Sequence, residues 1–115
     1  MALGWIAAAR NSAAGLAHGW RKERPVRQEI VALVAAIVVA PFLARSALHG
    51  IALVGVVVAT LVVELLNVGL ESICDRITTE RDEHVRIAKD SGSAAVTLTV
   101  IVAAAVWLEA VVALL

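Results

Sequence analysis

The chain has one cysteine, Cys74, and only four aromatic residues, Trp5, Trp20, Phe42 and Trp107. A single thiol excludes an intrachain disulfide and any cysteine-based structural zinc site. So few rings argue against a packed aromatic core, leaving Ala, Val, Leu and Ile to supply the apolar mass. Charge is also scarce: 17% of 115 residues, with ten Lys plus Arg balancing ten Asp plus Glu. That balance points to no nucleic-acid partner. His18, His49 and His84 are dispersed, with no two at i, i+4, so a histidine-based metal site is not expected. Neither a GxxxxGK[ST] loop nor a GxGxxG occurs, which removes both common kinase cradles for nucleotide phosphates.

What the chain does have is apolar sequence, at 61% hydrophobic residues and a mean hydropathy of +0.89. A soluble domain of this length buries only roughly two-thirds of its surface and needs polar residues to cover the rest. The excess must therefore face lipid, and an integral membrane protein is expected. Charged positions leave three uncharged runs, Ile30 to Ala44, Ser46 to Val63 and Ser91 to Leu108. Extended by their flanks to the roughly 17–25 residues that cross a bilayer, they predict spans at about 28–45, 48–76 and 88–114. Pro41 stands where it would kink or finish the first span, with a tight turn around Arg45 to His49. The stretch from about 3 to 22 mixes Leu3, Trp5, Ile6, Leu16 and Trp20 with Arg10, Asn11, Ser12 and His18. That pattern suits an amphipathic helix lying on the membrane surface, and Gly15 with Gly19 forms a GxxxG that favours close helix contact.

Five of the ten basic residues precede the first span and four lie between the second and third, leaving only Arg45 in the first turn. The positive-inside rule then places the N-terminus and second loop in the cytoplasm and the C-terminus outside. No secretory signal is expected, because the start is an Ala-rich stretch with one Arg.

The second span carries acids where acids are costly, about 2.5–3.5 kcal/mol each on insertion scales. Glu64, Asn67, Glu71 and Asp75 are spaced by three, four and four residues, which at about 100° per residue puts them in a sector of roughly 80° running about 16 Å along one face. Such a stripe serves either helix packing, with its acids paired to Arg76 or Lys89, or chemistry at the membrane boundary. Past the loop, Lys89 and Ser93 share a face at the start of the third span, beside Gly92, Ala94 and Ala95, whose small side chains permit close approach. Oxygen ligands of this kind favour Mg²⁺, which commonly takes one or two carboxylates and completes its shell with water and nucleotide phosphates. A small multidrug transporter also has about this length and one embedded acid, but its key acid belongs in the first helix of four.

The segment Val63 to Ile77, with its pattern ExxNxxxExxxD, and the segment Ala88 to Val96, with AKDxGSAAV, resemble the prokaryotic diacylglycerol kinase family. Arg27, Gln28 and Glu29 and the placement of Trp20, Glu23 and Trp107 fit the same ungapped alignment, which covers nearly the whole chain. The resemblance implies an all-α homotrimer in the bacterial inner membrane, each subunit having a surface helix and three spans, with sites between subunits. It implies ATP-dependent phosphorylation of membrane diacylglycerol, with Glu64 as catalytic base and Glu23 and Glu71 as ligands of Mg²⁺ on ATP. Asn67, Glu80, Arg81, Asp82, Lys89 and Asp90 fall at nucleotide positions, and Lys89 would stabilise the transferring phosphate. Trp20, Glu29, Ser93 and Trp107 fall on the lipid side, and Asp75 reads as structural support. Gram-positive members of the family phosphorylate undecaprenol, but their motif tends to read AKDxAAGAV. The chain departs from enterobacterial-type members at Gly4 and Asn11, where they carry an Arg and a nucleotide-stacking Tyr, and in reading Glu80, Arg81, Asp82 for their Glu-Tyr-His. Arg10 is a candidate replacement for the missing cation.

Overall fold

The computed structural model describes residues 2–115, which form four helices: α1 (Ala2–Lys22), α2 (Arg24–Leu43), α3 (Ala47–Ile77) and α4 (Glu83–Val112). The last three are long and apolar enough to cross a membrane. At 1.5 Å per residue α2 is about 30 Å long, the thickness of a hydrocarbon core. α3 and α4, with 31 and 30 residues, exceed it and carry their polar turns at one end.

The break between α1 and α2 falls at Glu23, whose backbone is extended at φ −120, ψ 106. Pro25 explains it. A continuous helix would need an N–H at that position, whereas Pro is well tolerated in a first turn. α2 therefore begins four residues before the expected position 28. The corner closes because Gly19 has no side chain: a Cβ there would strike the side chain of Val26, which is fully buried. Gly15, the other half of the GxxxG, faces open space. Arg27 completes the corner, its Nη1 donating to the carbonyl of Trp20 at 2.9 Å, one of the carbonyls a helix C-terminus leaves without an intrahelical partner.

Pro41 lies in the last turn of α2, and only Ala44 to Ser46 form the turn; Leu48 and His49, expected within it, already belong to α3. Ser46 caps α3, its Oγ accepting from the His49 N–H at 3.0 Å. α4 begins at Glu83, five residues before the expected position 88, because Asp82 caps it by accepting from the Val85 N–H at 2.9 Å.

α3 lies between α2 and α4 and runs antiparallel to both. Ala40, Leu53 and Ala110 are buried where the three helices meet, with Leu43, Val106 and Trp107 against them. The Trp107 indole N–H donates to the Leu53 carbonyl at 2.9 Å. Just beyond, Arg45 Nη2 reaches both oxygens of Glu109 at 2.8 Å, tying the α2–α3 turn to the last turns of α4. That bond pushes the Arg45 guanidinium, already a strong base, further up. At this end a core exists; elsewhere Val34, Val38, Ile51, Leu66, Leu98 and Ile101 face outward, as lipid-facing or subunit-facing residues do.

Candidate active site

The polar stripe of α3 lies at the opposite end from this core. Glu64 is only 6% exposed and is the one buried charged side chain among the described residues. The charges whose fields reach it are those of Glu29, Glu71 and Glu23. Glu71 follows two turns along the same helix, but Glu23 and Glu29 come from the α1–α2 break and the second turn of α2. The corner at Gly19 and Val26 thus folds two acids from the start of α2 toward the stripe.

Asn67 and Glu71 act together, the Asn67 Nδ2 donating to Glu71 Oε1 at 3.3 Å. The Asn67 Oδ1 is buried without a hydrogen-bond partner, which normally costs about 1–3 kcal/mol. Gly92 of α4 leaves the room it occupies, because a Cβ on Gly92 would collide with that oxygen and crowd Leu70. Among the described residues no three His, Cys, Asp or Glu side chains converge closely enough to hold a metal by themselves. Glu71, Glu23 and the orphaned amide oxygen of Asn67 are all hard oxygen donors, the type used by a cation that takes only one or two carboxylates.

Near the loop end, Lys89 Nζ lies 2.7 Å from Asp75 Oδ1. α4 therefore stands beside the stripe, with its lysine paired to Asp75. Glu80, Arg81, Asp82, Glu83, Arg86 and Lys89, with Val85, line an open concavity of about 510 Å³. The expected nucleotide positions at Glu80, Arg81, Asp82 and Lys89 thus share one hollow, with Asp90 at its edge through Arg86 Nη1, 3.5 Å away. The Asp82 carboxylate is engaged as the cap of α4, and the Glu80 N–H is taken by Thr78 Oγ1 at 3.0 Å. Arg86, in the same hollow, drew no attention in sequence; its place three residues before Lys89, on one helical face, is the signal that marks it.

Trp20 is half-exposed at the corner beside Glu23. Ser93 is exposed on α4, next to the glycine that faces Asn67. Trp107 lies elsewhere. Its hydrogen-bond partner Leu53 is eleven residues from Glu64, about 16 Å along α3, so within one chain it belongs to the far core.

The chain matches the family described as "Prokaryotic diacylglycerol kinase" over residues 10–111. It is 41% identical to the diacylglycerol kinase of Escherichia coli K12 over 102 residues, covering 89% of this chain and 84% of that one. It is 40% identical to the Pseudomonas aeruginosa diacylglycerol kinase over 92 residues, 78% of this chain and 75% of the relative. The Haemophilus influenzae diacylglycerol kinase is 32% identical over 102 residues, 89% and 86% of the two chains.

Proposed function

This chain belongs to the prokaryotic diacylglycerol kinase family, and from its activity as a diacylglycerol kinase we propose that it transfers the γ-phosphoryl group of ATP directly to the hydroxyl of membrane diacylglycerol, giving phosphatidic acid. The observation that carries the mechanism is the burial of Glu64 within a membrane-spanning helix, where the charges that reach it are those of Glu29, Glu71 and Glu23. An ionisable side chain kept within a span is costly and is by default a functional one.

Glu64 is the general base. It accepts the proton of the lipid hydroxyl as that oxygen attacks the γ-phosphorus; the bond to the bridging oxygen breaks and ADP leaves. Glu23 and Glu71 would hold Mg²⁺, and the Asn67 amide oxygen would be a further oxygen donor for it. When bound, the ion supplies positive charge against the phosphates. Asn67 fixes Glu71 through its amide N–H, and Lys89 moves from Asp75 toward the transferring phosphate, whose charge it offsets. Glu80, Arg81 and Asp90 border the nucleotide hollow, with Asp82 shaping it from the helix cap. Trp20, Glu29 and Ser93 border the lipid.

The N-terminus and the loop before α4 are cytoplasmic by the charge asymmetry of the sequence, in the bacterial inner membrane, with α1 on its surface. The working form is a homotrimer. In support, one chain leaves most of its apolar helix surface uncovered and places few polar groups around Glu64.

Phosphate incorporation from labelled ATP into diacylglycerol and undecaprenol, by purified protein with and without Mg²⁺, tests the reading. Diacylglycerol is expected to be the better acceptor and omission of Mg²⁺ to abolish transfer. Glu64→Gln should lose about 10²–10⁴-fold in rate, and near-full activity in that variant would remove the base assignment.

A further inference from the structure

We propose that Arg86 binds the nucleotide's phosphates in this chain, an assignment that rests on the ATP-dependent reading above. The hollow before α4 is lined by three cations, Arg81, Arg86 and Lys89, and by three acids, Glu80, Asp82 and Glu83, of which Asp82 is engaged as the cap of α4 and Glu83 lies 3.9 Å from Arg86. Lys89 is held at 2.7 Å by Asp75. Arg86 is held loosely: its Nη2 is 3.9 Å from Glu83 and its Nη1 3.5 Å from Asp90, with the side chain 64% exposed. Exposed pairs at such lengths contribute little and release readily.

Arg86 is also the hollow's only guanidinium mounted on a helix; Arg81 sits in the connecting segment. One turn separates Arg86 from Lys89, so α4 presents both cations to the same space. A planar fork of N–H donors suits two phosphate oxygens at once, which a lysine cannot match. Arg10 lies on the opposite end of the chain, on a helix that packs on α2 and α3, and does not line this hollow.

The test is steady-state kinetics in mixed micelles with ATP and diacylglycerol varied separately, for wild type, Arg86→Ala, Arg86→Lys and Arg10→Ala. Arg86→Ala should raise KM for ATP by about tenfold, the scale of one charge-assisted hydrogen bond. The inhibition constant of ADP should rise in parallel, while KM for diacylglycerol and the melting temperature stay unchanged. Arg86→Lys should recover part of the affinity. A wild type that moved no phosphate from ATP would sink the underlying reading. A wild type that turns over while Arg86→Ala keeps its KM for ATP sinks the Arg86 assignment alone, as does Arg10→Ala reproducing the defect in its place. A defect that follows the phosphatidylglycerol content of the micelles and not ATP would show that Arg86 meets lipid headgroups, and would likewise overturn the assignment.

Discussion

Asn67 and Gly92 face each other across the α3–α4 interface so closely that a Cβ at position 92 requires the Asn67 amide to move. Gly92→Ala should therefore displace the Asn67 amide and its bond to Glu71. Overpacking of this kind costs about 1–3 kcal/mol, offset by up to about 1 kcal/mol of helix propensity gained over glycine. The melting temperature is expected to fall slightly and the kinase rate by roughly ten- to a hundredfold, since misplaced ligands cost more than lost packing. An unchanged rate in a folded variant would show that Asn67 need not occupy its present position.

The two glycines of the GxxxG have opposite fates. Gly19→Ala would drive a methyl group into buried Val26 and open the α1–α2 corner, a loss of about 1–3 kcal/mol. Gly15→Ala meets nothing and should be neutral or stabilising by up to about 1 kcal/mol. Thermal unfolding in detergent, followed by circular dichroism, separates the two; equal melting temperatures would show that the corner does not depend on this contact.

Asp75 and Lys89 should behave as one unit. If Asp75 holds the lysine ready for the phosphate, Asp75→Asn lowers kcat several-fold, on the order of one weak charge-assisted contact. Lys89→Met lowers it further, and the double variant is no worse than Lys89→Met alone, as expected for partners that act through a shared contact. Additive losses would place Asp75 in a separate role.

Trp107 offers a choice between a lipid site and a packing role. Its indole N–H bonds to the Leu53 carbonyl in the far core. Trp107→Phe should cost about 0.5–1.5 kcal/mol for the lost bond, lower the melting temperature and leave KM for diacylglycerol unchanged. A raised KM at constant melting temperature would return Trp107 to the lipid side.

Much of this was visible in the chain. The stripe of Glu64, Asn67, Glu71 and Asp75 follows from helical spacing alone, and Lys89 lies next to it as the antiparallel arrangement requires. α2 and α4 start earlier than their apolar runs indicate. Pro25 and Asp82 carry the signals for α2 and α4, but both lie among charged residues outside the apolar runs that defined the spans. Asp82 falls at a nucleotide position by resemblance, while its carboxylate caps a helix. Arg86 does not stand out in sequence, because a charge in a polar segment is usually a solvated one, and only its neighbours in the hollow distinguish it.

The sequence by itself determined the membrane helices and the face of α3 that bears the acids. Both are local properties: lipid offers no hydrogen bonds, so an apolar run closes its own as a helix, and the helical repeat then decides which side chains share a side. The tertiary structure alone decided which distant groups meet. Glu23 and Glu29 approach Glu64 because one glycine admits one valine at a corner, and Arg45 reaches Glu109 across 64 positions of sequence. Such meetings leave no periodic trace in the chain, since they depend on how closely two backbones can pack.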